Sequence, residues 1–220
     1  MAKEIKIENA EAVVEAVSKT EKFFNENGKL LSLIAVAIVV VAAGIFCANK
    51  FVYQPAQAEA QGQMALAEEV FRTGNYELAL NGDGNVLGFA QIIDEYGAKA
   101  GKAVYFYAGV CELQLGNWEL ALKYLQSYNG KDAILKARAI ACMGDAYVGL
   151  EEYSKALGCF EKAAAVVDNV YAAGYLLKAG VVAEKLGKNE KALGFYNQIK
   201  DQYPTSFEGY EIDKYIGRLQ

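Results

Sequence analysis

Four similar segments of seven residues decide the fold of this chain. They are GNYELAL at Gly74–Leu80, GNWELAL at Gly116–Leu122, EEYSKAL at Glu151–Leu157 and GKNEKAL at Gly187–Leu193. Each has the composition of a turn followed by the start of a helix, with an Ala-Leu pair at a fixed offset. Their first residues lie 42, 35 and 36 positions apart. A repeat of this length predicts a solenoid, in which each unit buries its apolar face against its neighbours.

A second regularity lies halfway along the helix that precedes each turn. Small residues occupy this position in all four repeats, namely Ala67, Gly109, Gly144 and Gly180. A glycine inside a helix costs about 1 kcal/mol relative to alanine, so three glycines at equivalent positions need a packing reason. Close approach of two helices at this position would supply that reason.

Together these marks resemble the tetratricopeptide repeat, which is a helix–turn–helix unit. Its pattern has a glycine in the turn, an aromatic residue two positions later, a small residue that opens the second helix, and a large ring four positions further on. The third repeat, Ala137–Asn169, carries Tyr153 and Phe160 at the aromatic and ring positions, although Glu151 replaces the turn glycine. The resemblance implies an all-α solenoid of about four units over residues 60–220.

The first repeat departs from this pattern. Its ring position falls on Asp83, inside a turn-rich stretch at 81–88 that we expect to interrupt the second helix before it resumes over 88–96. The alternating Asn and Asp residues resemble the start of a calcium loop. The sixth and twelfth positions of such a loop would be Val86 and Ile92 instead of glycine and glutamate, so we do not predict a calcium site.

The last segment, 210–220, is expected to form a capping helix. Its apolar residues fall on one helical face, and these are Ile212, Tyr215, Ile216 and Leu219. A repeat array needs such a cap because its terminal unit would otherwise expose an apolar face.

A membrane segment is predicted at 30–48, where LLSLIAVAIVVVAAGIFCA contains no charged residue. As a helix it would span about 28 Å, close to a bilayer core of about 30 Å. We prefer a permanent anchor to a buried core helix or a cleaved signal, because the run is long and 29 residues precede it. Five lysines precede the run and only Lys50 lies in the twenty residues after it, which predicts a cytoplasmic N-terminus.

The chain is therefore expected to have four parts. They are a short cytoplasmic segment with an amphipathic helix at 1–29, a single transmembrane helix at 30–48, a linker at 49–59, and the repeat domain with its cap at 60–220. The predicted location is the bacterial inner membrane, with the repeat domain in the periplasm.

The composition of the 220 residues excludes several kinds of chemistry. There is no histidine, so a Ser-His-Asp triad, a Cys-His pair and a histidine metal ligand are impossible. The net charge of −5 argues against nucleic-acid binding. We expect no enzyme, no cofactor, no metal site and no small-molecule substrate. Cys111, Cys142 and Cys159 are expected to be small buried packing residues.

Tetratricopeptide arrays present the first helices of successive repeats along a concave surface, and the resemblance implies a partner-binding groove there. Its expected residues are Phe106, Val110, Leu113, Ala141, Asp145, Val148, Leu177, Val181 and Glu184. They are mainly apolar, which suits an extended or helical hydrophobic segment of a protein partner. The alternative is that the chain's own helices partly fill this groove.

The layout of the whole chain resembles the ancillary subunit of the bacterial Sec translocon, which has a short cytoplasmic segment, one span, a repeat domain and a C-terminal helix. This resemblance implies an accessory role at the translocon or in periplasmic chaperone traffic. The partners would be translocon subunits, periplasmic chaperones or secreted chains. The alternative is an assembly scaffold for a cell-envelope or division complex.

Overall fold

The structure is a computed structural model that describes residues 2–220, with side chains described from Ser18 onward except Thr20, Phe24 and Val170. The chain forms two compact units, Met1–Pro55 and Ala56–Gln220. The boundary between them falls inside the predicted linker at 49–59, and this stretch is helical.

The first unit is helical throughout its described length. Helix α1 spans Ala2–Ala48 and is followed by a π-helical segment at Asn49–Tyr53. The apolar side chains of the predicted span, from Leu30 to Phe46, are largely exposed, so they do not form a protein core. Within the described residues, the helical stretch Asn25–Arg72 is the one that is long and apolar enough to cross a membrane.

The predicted amphipathic helix at the N-terminus lies within α1 and is not a separate element. Its side chains before Ser18 lie outside the described residues, so the predicted apolar face is not described.

The second unit contains four helix pairs and a final helix, which confirms the predicted all-α solenoid. Helix α2 (Gln54–Arg72) pairs with α3 (Tyr76–Asn81) and α4 (Phe89–Tyr96), and a short 3₁₀ helix follows at Gly97–Ala100. The next pairs are α5 (Ala103–Gln114) with α6 (Trp118–Ser127), α7 (Ala133–Gly149) with α8 (Tyr153–Val166), and α9 (Val170–Lys185) with α10 (Asn189–Gln202). Helix α11 (Phe207–Gly217) ends the array.

The mid-helix glycines lie where two helices approach each other, as predicted. A Cβ atom added to Gly109 would come within 2.6 Å of Leu125 Cγ, and one added to Gly144 would come within 2.6 Å of Phe160 Cε1. A Cβ atom on Gly180 would overlap the ring of Tyr196. In each pair the large side chain lies sixteen residues after the glycine, so one packing contact recurs in three repeats.

The turns between paired helices need a left-handed backbone. Gly74, Gly116 and Gly187 have φ angles of 82°, 80° and 71°. Glu151 adopts the same conformation, with φ at 59°, although it has a side chain. Such a conformation costs a non-glycine residue about 1–2 kcal/mol, so the third turn is strained.

The second helix of the first repeat is interrupted, as the turn-rich stretch predicted. Helix α3 ends at Asn81 and α4 begins at Phe89. The Asp83 carboxylate accepts hydrogen bonds at 2.9 Å from the amides of Asn85 and Val86. These bonds hold the pKa of Asp83 below its ordinary value, with the Val86 amide contributing most.

Three apolar cores follow one another along the repeat unit. The first lies among α2 to α5 and contains Phe89 and Ile92. The second lies among α5 to α7 around Leu125. The third runs from α7 to α11 and contains Phe160 and Tyr196. The repeat unit is therefore held together by contacts between neighbouring helix pairs.

Helix α11 covers the end of this third core. Ile212 and Ile216 are buried in it, and Tyr215 and Leu219 pack beside them. Polar contacts also tie the end of the array together. Lys200 pairs with Asp213 at 2.8 Å, and the Tyr203 hydroxyl donates to Asp168 at 2.9 Å. The capping face predicted for 210–220 is thus packed as expected.

Candidate partner-binding groove

The predicted groove residues lie on the first helices of three repeats. Helix α5 carries Phe106, Val110 and Leu113, helix α7 carries Ala141, Asp145 and Val148, and helix α9 carries Leu177, Val181 and Glu184. The structure places these three sets in different surroundings.

The residues of α5 belong to the second core. The Phe106 side chain is 3% exposed, and its ring centroid lies 5.6 Å from that of Tyr107 and 6.2 Å from that of Tyr128. Leu113 is buried and Val110 is half-buried against the same core. Helix α5 therefore offers a partner little of the apolar surface that the sequence pattern suggested.

An actual groove lies between α7 and α9, with the first turn of α11 at its side. Its volume is about 670 Å³. Three of the predicted residues, Ala141, Asp145 and Leu177, line it. Its other lining residues are Arg138, Cys142, Tyr171, Gly174, Tyr175, Lys178, Phe207 and Glu208.

An ion pair joins the two helices that form this groove. Lys178 Nζ on α9 lies 2.8 Å and 2.7 Å from the two carboxylate oxygens of Asp145 on α7. Because both side chains are partly exposed, the pair contributes little stability, within about 1 kcal/mol. It does neutralise the Asp145 carboxylate and fix the Lys178 side chain at the groove wall.

The cysteine in the groove is a poor nucleophile. Burial, with a smaller effect of the nearby Asp145, raises the pKa of Cys142 to about 11. Burial likewise raises the pKa of Cys111, to about 12. Thiols with such pKa values stay protonated at neutral pH and are weak nucleophiles. The predicted burial of the three cysteines is confirmed for Cys111, whereas Cys142 and Cys159 are only partly buried.

The remaining predicted residues lie beyond the groove lining. Val148 is half-buried against the third core, and Val181 is 44% exposed. Glu184 is engaged by the C-terminal segment, since Arg218 donates to its two oxygens at 2.5 Å and 3.1 Å and the Tyr196 hydroxyl also donates to it. Burial opposes ionisation of Glu184, but the hydrogen bonds from Arg218 and Tyr196 outweigh it and lower its pKa.

Part of the predicted surface is thus occupied by the chain itself, while a groove remains open between α7 and α9. Eight of the lining residues were not predicted from the sequence, among them Arg138, Tyr171, Gly174 and Phe207. One signal was available, because Phe207 lies 36 residues after Tyr171 and thus at the same repeat position. The predicted capping helix at 210–220 does not include Phe207, whereas α11 begins at this residue.

Comparison with known proteins identifies the repeats. Residues 103–131 and 143–207 match sequence families described as tetratricopeptide repeat. Two crystal structures of MamA are similar in fold, with TM-scores of 0.54 and 0.55 and sequence identities of 18% and 17%. These matches cover 70% and 73% of this chain and 91% and 87% of the MamA chains.

At such identities the likeness shows the fold alone. No curated protein matches the sequence. Tetratricopeptide repeats are generally non-catalytic modules for protein–protein interaction, and the matched residues fall on the helix pairs α5–α6, α7–α8 and α9–α10. The chain therefore contains a protein–protein interaction module.

Proposed function

We propose that the chain is a membrane-anchored interaction protein that binds its partners in the groove between α7 and α9. The observation that carries this proposal is the groove of about 670 Å³, whose lining includes apolar and aromatic side chains next to a few polar groups. Binding sites of this kind combine apolar contacts for affinity with a few polar groups for orientation.

The proposal includes the place of the chain in the cell. The apolar helix would anchor it in the bacterial inner membrane with its N-terminus in the cytoplasm, and the repeat unit would lie in the periplasm. This orientation rests on the lysines that precede the span. The layout of the chain supports an accessory role at the Sec translocon or in periplasmic chaperone traffic.

Crosslinking in living cells tests the groove and its partners together. We would replace Tyr171 with p-benzoylphenylalanine, since this ring lines the groove, is 54% exposed and is aromatic like its replacement. The control carries the same group at Leu120, which is exposed on α6 outside the groove lining. Adducts are identified by mass spectrometry.

The proposal expects adducts from position 171 that position 120 does not give. Translocon subunits, periplasmic chaperones or secreted chains among them would support the accessory role. Division or envelope-assembly proteins alone would support the scaffold alternative instead. Identical adduct patterns from both positions would contradict binding in the groove.

Orientation is tested with an impermeant maleimide on spheroplasts. Ser154→Cys on α8 and Ser18→Cys on α1 are both exposed positions, and the four native cysteines are replaced by alanine in both variants. We expect labelling at 154 without cell lysis and labelling at 18 only after lysis. The reverse pattern would place the repeat unit in the cytoplasm.

A further inference from the structure

The first turn of α11 holds two aromatic rings in solvent. The Phe207 side chain is 79% exposed and that of Tyr210, three residues later on the same helix, is 77% exposed. Phe207 lines the groove together with Tyr171. Exposed aromatic groups of this kind mark interaction surfaces, because their contact with water is unfavourable. A helix that only capped the array would not need these rings.

Hydrogen bonds of the Ser206 side chain hold this turn in place. The buried Ser206 hydroxyl accepts a hydrogen bond from the Gly209 amide at 2.9 Å and donates one to the Tyr203 carbonyl at 2.8 Å. A Cβ atom on Gly209 would overlap the Tyr203 carbonyl oxygen, so the turn packs closely on the preceding loop. Phe207 is therefore presented to the groove by a well-anchored turn.

The floor of the groove is formed in part by a glycine of α9, beside which lies the flexible side chain of Glu208. A Cβ atom on Gly174 would meet only the Glu208 side chain, with Oε1 at 3.1 Å. This glycine differs from Gly144 and Gly180, whose missing side chains make room for a ring of the same repeat. At Gly174 the missing side chain leaves room for the Glu208 side chain at the groove lining.

The charged side chains that line the groove differ between its two sides. Lys178 is neutralised by Asp145. Arg138 lies on α7 with its guanidinium 5.6 Å from the Phe106 ring centroid, and within the described residues it forms no ion pair and no side-chain hydrogen bond. Its N–H groups can therefore donate hydrogen bonds to a carboxylate of a partner. The Glu208 carboxylate lies on α11 and would repel an acidic group there.

We propose that α11 completes the partner site and that the occupant is a protein segment carrying an acidic side chain next to an aromatic or large aliphatic one. The acidic group pairs with Arg138, and the apolar group lies against the rings of Tyr171 and Phe207. This inference rests on the proposed function, because it specifies the partner for the same groove. Charge complementarity at Arg138 selects this occupant over a purely apolar segment.

A peptide selection tests this chemistry. The full chain in lipid nanodiscs is used to select from a phage-displayed library of random twelve-residue peptides. The same selection is made on Arg138→Glu and on Lys162→Glu, a matched charge reversal at an exposed position of α8 outside the groove. Circular dichroism checks that each variant is folded.

The natural chain and Lys162→Glu should enrich Asp or Glu beside an aromatic or aliphatic residue, while Arg138→Glu should lose the acidic preference. The best peptide should bind about tenfold more weakly to Arg138→Ala, the loss expected for a charge-assisted hydrogen bond. Phe207→Ala should weaken it as well, and this exposed ring can be removed without harm to the fold.

Two results separate the failure of this inference from failure of the proposed function. If the selected peptides lack an acidic preference, or bind Arg138→Ala and Phe207→Ala normally, the inference is overturned. If Gly174→Leu still abolishes their binding in that case, the groove remains the partner site. If Gly174→Leu leaves binding of the selected peptides unchanged, both the inference and the proposed site are overturned.

Discussion

The third and first repeats use different devices to bring two helices together. In the third repeat, Gly144 on α7 receives the Phe160 ring of α8, and both helices are continuous. In the first repeat the small residue is Ala67, and the second helix is divided into α3 and α4. The aromatic ring in its core is Phe89, which stacks on Tyr107 of the next repeat at 5.2 Å.

This difference shows which features of a repeat are needed for packing. A large ring is buried in both repeats, but in the first it comes from the segment after the interruption. What both retain is an apolar contact with the neighbouring unit, as nearest-neighbour stabilisation of a solenoid requires.

The largest expected effects come from the glycine–ring pair of the third repeat. Phe160→Ala should cost about 3–5 kcal/mol of unfolding free energy, because it leaves a cavity. Gly144→Leu should cost about 3 kcal/mol by overpacking. In the double variant the new leucine can occupy the space of the lost ring, so the cost of the double variant should be at least about 1 kcal/mol less than the sum of the two single costs.

Urea unfolding of the full chain in detergent, followed by circular dichroism, measures this cycle. The control is Gly158→Ala on α8, where an added Cβ meets no atom within 4 Å. It should gain up to about 1 kcal/mol from helix propensity. Full additivity of the two core variants would show that Gly144 and Phe160 do not share one packing site.

A smaller and more local effect is expected in the first repeat. A Cβ atom on Gly88 would overlap the Leu80 carbonyl, which is backbone and cannot rotate away. Gly88→Ala should therefore cost about 1–3 kcal/mol. Hydrogen exchange should accelerate in α3 and α4 and stay unchanged in α9 and α10, because each repeat depends mainly on its neighbours.

Gly62→Ala is the control for this variant, since Gly62 lies in α2 with open space around its Cβ position. It should leave hydrogen exchange in α3 and α4 unchanged. Equal acceleration of exchange along all the repeats after Gly88→Ala would mean that the unit unfolds as one body, and would contradict the comparison.

The smallest effect concerns the turns. Glu151→Gly should stabilise the protein by about 1 kcal/mol, because it removes a side chain from a left-handed residue. Gly187→Ala is the mirror experiment at the equivalent turn, where φ is 71°, and should cost about 1 kcal/mol. Thermal melts measure the change in stability of each variant. Changes of the opposite sign would contradict the claim that the left-handed turn strains a residue with a side chain.

The repeats could be predicted because their packing contact is local in sequence. Gly109, Gly144 and Gly180 recur at the repeat period, and the partner side chain lies at a fixed offset from each. The interruption at 81–88 was also readable, because Asn-Gly and Asp-Gly are strong turn formers. These features follow from neighbouring residues, which a single sequence reveals.

The groove could be predicted only in part because it depends on contacts between repeats. Helical spacing placed Phe106 on the inner face, but the rings of Tyr107 and Tyr128 cover it. The same spacing could not show that Arg218 would reach Glu184 across 34 residues. Phe207 was not predicted because the capping helix expected at 210–220 begins three residues later in the sequence than α11 does.

The most direct test of the binding site compares two glycine-to-leucine variants in living cells, each with p-benzoylphenylalanine at position 171. Gly174→Leu fills the floor of the groove, whereas Gly158→Leu adds the same side chain to α8 in open space. We predict that Gly174→Leu abolishes the specific adducts of position 171 and that Gly158→Leu retains them. Unchanged adducts in the Gly174→Leu variant would contradict partner binding in the groove between α7 and α9.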